Sequence, residues 1–150
     1  MPGSPIRVLV ADDHEPLRRF VSSTLARLPR LMLVGEASDG LEALRKVREL
    51  QVDIILLDIS LPKLNGFEVA RRIRERIPQL RILFFSTDCS SQIAEEALRL
   101  GAGGYIVKSD AGTELLPALE AVLHGETYLS SSLTNRALFD PYQKAHERGS

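Results

Sequence analysis

The 150-residue chain is 44% apolar and 26% charged, with a formal net charge of -1. This fits one globular domain with a sizeable core and perhaps a tail, and it excludes wholesale disorder and a global electrostatic pull toward nucleic acid. Cys89 is the only cysteine, which excludes an intrachain disulfide and a multi-cysteine metal site and favours a reducing, cytoplasmic setting, while no apolar stretch approaches the ~20 residues of a membrane span and Met1–Pro5 lacks a signal-peptide core.

Ile6 to Val10 reads as a first strand, ending in Ala11-Asp12-Asp13-His14. Leu17, Phe20, Val21, Thr24, Leu25 and Leu28 then recur at helical spacing, with Pro16 allowed in the first turn and Pro29 as a stop. Leu31 to Val34 is a short second strand, and a second helix runs from Gly40 to Leu50 with Leu41, Leu44 and Val47 inward. The central strand, Asp53 to Asp58, holds the unbroken apolar run Ile54 to Leu57 and stops at a carboxylate. Such a run reads as a strand buried on both faces, the habit of a parallel sheet under helices.

Pro62 and Gly66 punctuate the next loop, and a third helix carries Phe67, Val69, Ala70, Ile73 and Ile77. Ile82 to Phe85 is a fourth strand ending in Ser86-Thr87-Asp88. A fourth helix uses Ile93, Ala94, Ala97, Leu98 and Leu100, and Gly101 stops it. Tyr105 to Val107 is a short fifth strand ending at Lys108, before a helix with Leu115, Leu116, Leu119, Val122 and Leu123 inward. Strand–helix alternation implies an α/β fold, a parallel sheet with helices on both faces. The domain spans residues 5–125. Residues 126–150, with Ser130-Ser131-Ser132 and Pro141, read as a partly ordered linker or tail, in which Leu133, Ala137, Leu138 and Phe139 offer a short helix.

Residues able to do chemistry stand at four strand ends: Asp12 and Asp13, Asp58, Ser86, and Lys108. Parallel strands bring these ends to one edge, where open α/β sheets bind ligands. Carboxylates about 4 Å apart repel by roughly 4 kcal/mol at an effective dielectric near 20, so the cluster needs counter-charge. Lys108 supplies one positive charge. An oxygen-only ligand set favours Mg²⁺ as the second, with Mn²⁺ as a substitute. Such a cluster suits a metal and an incoming phosphoryl group, with Asp58 as nucleophile.

Taken singly, each residue has a plainer role. Asp12 and Asp13 are fit to cap a helix, Lys108 to be solvated, Tyr105 to be an edge-strand aromatic and Ser86 to be a turn hydroxyl. His14 reads as a loop residue without a catalytic role. Their joint placement at successive strand ends favours a site.

From Ile6 to Gly125 the chain resembles the receiver domain of two-component response regulators. The resemblance rests on Val10-Ala11-Asp12-Asp13-His14, Leu57-Asp58-Ile59-Ser60-Leu61-Pro62 with Asn65-Gly66, Phe85-Ser86, and Gly101 through Lys108. It implies a flavodoxin-like (βα)5 doubly wound fold with strand order 2-1-3-4-5. Asp58 becomes the phosphoacceptor for a sensor histidine kinase. Asp13, Asp58 and the Ser60 backbone carbonyl become Mg²⁺ ligands, with Asp12 acting largely through water. Ser86 and Tyr105 become a switch pair, and Lys108 the phosphate contact. Ser60 and Asp88, two positions after Asp58 and Ser86, are expected to tune acyl-phosphate lifetime.

His14 and Tyr128-Leu129-Ser130 are most similar to regulators carrying a C-terminal helix-turn-helix of the LuxR/NarL type. The sequence ends inside what would be the linker, leaving an excised or a stand-alone receiver. DNA would be reached only through that further domain, with a homodimer open and no membrane partner. On this reading the protein is a phosphoacceptor rather than an enzyme. Two departures stand out: Ser86 replaces the commoner Thr, and Ser109 follows Lys108 where many receivers have Pro.

Two other classes compete. An aspartate-nucleophile phosphatase would commonly place a second Asp where Ser60 stands. A flavin carrier of the same fold would want a Ser/Thr/Gly-rich phosphate loop where Asp12-Asp13-His14-Glu15 stands.

Overall fold

A computed structural model describes residues 4–133. Its elements alternate as expected: β1 (Ile6–Ala11), α1 (Glu15–Leu25), β2 (Leu31–Ala37), α2 (Gly40–Glu49), β3 (Ile54–Asp58), α3 (Gly66–Arg76), β4 (Arg81–Ser86), α4 (Ser91–Arg99), β5 (Gly104–Val107), α5 (Ala111–Leu123) and β6 (Tyr128–Leu129). A single 3-10 turn, Lys108–Asp110, joins β5 to α5. The sheet is parallel throughout, with order β2-β1-β3-β4-β5-β6. The flavodoxin-like order is thus present, with one strand added beyond β5.

Every residue of β3 is buried, as its apolar run requires. Alternate side chains leave a strand on opposite faces. Ile55 and Leu57 therefore join a core under α2, α3 and α4, with Val47, Val69, Ile73, Phe84, Ala94 and Ala97. Ile54 and Leu56 join the other core under α1 and α5, with Val21, Leu25, Leu115, Ala118 and Leu119. The Phe67 and Phe84 rings meet edge to face at 5.5 Å.

Local signals set the helix starts. Asp39 accepts from the Glu42 amide at 2.8 Å, and Glu42 reaches back to the Ser38 amide at 2.7 Å, a reciprocal cap. Asn65 caps α3 through the Glu68 amide at 3.0 Å. Ser90 caps α4 through the Gln92 amide at 3.2 Å.

Four features depart from the sequence reading, the first being that α1 ends at Leu25 rather than at the Pro29 stop. Strand β2 continues past Val34 to Ala37, because the ladder with β1 carries Gly35 and Glu36 across an irregularity between Val8 and Leu9. Leu41, expected inward, is half exposed at 52% in the first turn of α2. Strand β6 had no counterpart in the reading: Tyr128 and Leu129 are too short a run to signal a strand, and only the open edge of β5 makes them one. Leu133 is buried without a helix, while Ala137, Leu138 and Phe139 lie outside the described residues. There is no cis peptide bond among the described residues, so Lys108–Ser109 is trans. No helix among them is long and apolar enough to cross a membrane.

Candidate functional site

Register fixes the site. Ala11 pairs with Leu57, Asp58 with Phe85, and Ser86 with Val107. The carboxyl ends of β1, β3, β4 and β5 therefore lie level: Asp58 and Ser86 close β3 and β4, Asp12 and Lys108 directly follow β1 and β5, and the four share one edge of the sheet. Asp12 and Asp58 are buried there, at 1% and 3% exposure, whereas Asp13 is exposed. One carboxylate oxygen from each of Asp12, Asp13 and Asp58 lies within 4.8 Å of the others. Lys108 enters from β5, its Nζ 2.7 Å from Asp12 Oδ2 and 3.5 Å from Asp58 Oδ1.

Asp12 is held firmly. Its Oδ1 accepts the His14 amide at 2.8 Å, and Arg18 Nη1 donates to its carbonyl oxygen at 2.7 Å. Its Oδ2 is buried without a well-directed donor, because Lys108 approaches closely but off the hydrogen-bonding direction. Its close positive partner is the Lys108 ammonium, which it shares with Asp58. Burial pushes the Asp58 carboxyl above its ordinary range, and the neighbouring charge of Asp12 pushes it further; Lys108 and the Ser60 amide, 3.2 Å from Asp58 Oδ1, pull it back. One lysine thus serves two buried carboxylates. The all-oxygen donor set and the undirected Asp12 oxygen fit a hard divalent cation such as Mg²⁺.

The loop after Asp58 is clamped on both sides. Gly66 donates its amide to the Ile59 carbonyl at 2.7 Å, and a Cβ on Gly66 would fall 2.3 Å from the Asp58 carbonyl oxygen. Gly40 donates to the Pro62 carbonyl at 3.1 Å, and a Cβ there would fall 1.9 Å from the Leu64 carbonyl oxygen. Lys63 turns the loop with a φ of 67° and pairs with Asp39 at 3.5 Å. Ser60 is exposed at its mouth.

Ser86 is buried at the end of β4, and its Oγ accepts the Asp88 amide at 2.9 Å. Tyr105 is wholly buried, not an edge residue, because β6 covers β5. Its hydroxyl donates to the Asp88 carbonyl at 2.7 Å. Burial pushes the phenol up to about 12, with the Ser86 hydroxyl pulling the other way. Ser86, Asp88 and Tyr105 are therefore linked through one short loop. The Asp88 carboxylate turns to the start of α4, accepting the Ser90 amide at 2.8 Å, and is not one of the three clustered acids. His14 contributes its amide, which braces Asp12.

The structure thus brings together Asp12, Asp13, Asp58 and Lys108. It ties Ser86 to Asp88 and Tyr105, and leaves Ser60 at the rim. Sequence reasoning missed Arg18 and Gly40. Arg18 carries no signal of its own. Gly40 does: an Asp-Gly pair opening a helix marks a close approach, though not what approaches.

Comparison with known proteins agrees with this arrangement. The response regulator receiver domain family matches residues 8–120. The chain is 37% identical over 130 residues to the nitrate/nitrite response regulator protein NarL of Escherichia coli K12, covering 87% of this chain and 60% of that one. It is 36% identical over 139 residues to the transcriptional activator protein ExaE of Pseudomonas putida, covering 90% and 63%. Among solved structures, a LuxR-family two-component response regulator from Aurantimonas sp. SI85-9A1 superposes with a TM-score of 0.82 at 35% identity, covering 98% of this chain and all of that one. The isolated receiver domain of RcsB from Salmonella enterica serovar Typhimurium, in the presence of the phosphomimetic BeF3-, gives 0.80 at 25% identity, covering 87% and 97%. The chain spans about two thirds of the length of the first curated relatives it matches.

Proposed function

Because the chain belongs to the response regulator receiver domain family, we propose that Asp58 accepts a phosphoryl group from a phosphohistidine of a sensor histidine kinase. A carboxylate oxygen of Asp58 attacks phosphorus; the N–P bond breaks and its electron pair stays on the imidazole nitrogen. Asp13, Asp58 and the Ser60 backbone carbonyl would hold Mg²⁺, or Mn²⁺ in its place, with Asp12 assisting through water. When bound, the cation neutralises charge on the phosphoryl oxygens. Lys108 swings from Asp12 toward the new anion and offsets the remainder. Arg18 and the His14 amide keep Asp12 in place meanwhile.

The observation that carries this reading is the 4.8 Å cluster of three carboxylates with one lysine. Phosphorylation adds about -1.5 to -2 charges. Ser86 gives its hydroxyl to a phosphoryl oxygen and so releases the Asp88 amide. Tyr105, already inside, is then held there by the rearranged loop, which biases the surface of β4, β5, α4 and α5. Ser60 and Asp88 tune hydrolysis by admitting or orienting water. The output is transcriptional, through a helix-turn-helix domain outside this chain, with a homodimer as one route; DNA is met only through that domain. The domain works in the cytoplasm, and the chain after its docked residues 128–133 links it onward. Its phosphotransfer and dephosphorylation chemistry acts on itself alone.

A phosphatase acting on exogenous esters fits less well, since Ser60 offers no general acid. A flavin carrier fits less well, since Asp12 and Asp13 would repel its phosphate. The test is incubation with acetyl phosphate and Mg²⁺. Gain of one phosphoryl mass, abolished in Asp58→Ala, supports the proposal; no gain in the unaltered chain overturns it.

A further inference from the structure

Beyond α5 the chain turns back along the sheet. Tyr128 donates its amide to the Gly103 carbonyl and Ser130 donates to the Tyr105 carbonyl, each at 3.0 Å. Three serines in a row then meet two carboxylates. The Ser130 hydroxyl donates to Asp110 Oδ2 and lies 3.2 Å from Glu114 Oε1. The Ser131 amide donates to Glu114 Oε1 at 3.2 Å, and its hydroxyl donates to Glu114 Oε2. Ser132 donates its amide to Asp110 Oδ2 at 3.0 Å and its hydroxyl to Asp110 Oδ1 at 2.6 Å. Ser130 is fully buried, and Leu133 packs into the same apolar cluster as Tyr105.

Two properties set this contact apart from an ordinary tail. The bonds go to carboxylates one helical turn apart, so they are charge-assisted and directional. Asp110 and Glu114 would otherwise face each other with like charge. The anchors also lie on both sides of Lys108: the Tyr105 carbonyl is three residues before it and the Asp110 carboxylate two residues after. The segment therefore spans the stretch that carries the cation of the acid pocket. Any displacement of residue 110 relative to residue 105 changes the gap the serines have to bridge.

We propose that the edge of β5, the turn Lys108–Asp110 and the first turn of α5 form a switchable docking seat for the chain's own residues 128–133, and that phosphorylation of Asp58 loosens it. The coupling half rests on the phosphoacceptor reading above. When Lys108 leaves Asp12 for the phosphoryl group, the turn it begins shifts with it, and Asp110 no longer matches Ser130 and Ser132 while Ser130 stays on Tyr105. The exit of the chain is then freed at the point from which any following domain would be attached.

Hydrogen–deuterium exchange on the whole chain, with intact mass read on the same samples, tests both halves. In the double variant Asp110→Ala/Glu114→Ala, amides 130–132 should exchange at least tenfold faster while those of 54–58 do not change. Should amides 54–58 also accelerate, the milder pair Ser131→Ala/Ser132→Ala decides, again by acceleration confined to the segment. Unchanged exchange in the deciding variant overturns the seat. With acetyl phosphate and Mg²⁺, phosphorylated unaltered chain should show at least threefold faster exchange at 130–132. A full phosphoryl mass gain with unaltered exchange overturns the coupling and leaves the phosphoacceptor reading standing. Absence of a mass gain overturns that reading, and the coupling with it.

Discussion

Replacing Asp58 with Asn should make the metal-free protein more stable. The carboxylate is 3% exposed and its oxygen lies within 4.8 Å of Asp12. At an effective dielectric near 20, that separation corresponds to at least about 3.5 kcal/mol of repulsion. Lys108, 3.5 Å away, returns about 4.7 kcal/mol of attraction on the same scale. The attraction exceeds the repulsion by about 1.2 kcal/mol, which the variant forgoes, and Lys108 keeps its shorter contact with Asp12. What remains is the cost of burying an ion, several kcal/mol for a fully enclosed group and less at this open-mouthed crevice. Asparagine keeps an oxygen for the Ser60 amide and sheds most of that cost. A net gain of about 1–2 kcal/mol is expected at pH 7. The raised Asp58 pKa gives the same sign: between the ordinary value of 3.8 and the higher folded value, the native chain binds more protons than the unfolded one. Stability therefore falls as pH rises through that window. Urea denaturation in EDTA, with and without added Mg²⁺, provides the assay. Mg²⁺ should stabilise the parent and narrow the gap. A variant less stable than the parent in EDTA by 1 kcal/mol or more would refute the electrostatic account.

Lys108→Met removes the shared counter-charge. It should cost about 2–4 kcal/mol in EDTA at pH 7, with the loss shrinking as pH falls and Asp58, whose pKa burial raises, takes up a proton; a loss independent of pH counts against this. Gly40→Ala forces the Leu64 carbonyl away. It should cost about 1–3 kcal/mol and weaken Mg²⁺ binding by calorimetry, and parent-like values in both would show that the clamp is idle. Tyr105→Phe keeps the buried ring and removes the donor to the Asp88 carbonyl. It should cost about 1–2 kcal/mol and speed amide exchange at residues 88–90; an effect spread over the sheet would contradict so local a role.

The parts of this molecule legible in its sequence were those governed by repetition. Ile54 to Leu57 reads as a doubly buried strand because no polar residue interrupts it, and its burial is complete. The helices show their apolar faces, whereas the caps Asp39, Asn65 and Ser90 that start three of them were not singled out as such. Convergence of Asp12, Asp13, Asp58 and Lys108 followed from topology, since parallel strands level their ends. Features that depend on an approach between distant segments were less legible. Strand β6 exists because β5 has an open edge, and two residues carry no period. The serines at 130–132 read as linker composition, whereas Asp110 and Glu114 turn them into donors. Leu41 looks like a core residue by spacing, yet the first turn of α2 leaves it half exposed.

The most direct measurement locates the acceptor chemically. Chain treated with acetyl phosphate is reduced with borohydride, which converts an aspartyl phosphate to homoserine, and is then mapped by peptide mass spectrometry. Homoserine at position 58, formed only when Mg²⁺ or Mn²⁺ is present, is the result expected here. Homoserine at position 12 or 13, or formation at 58 undiminished in EDTA, would contradict it.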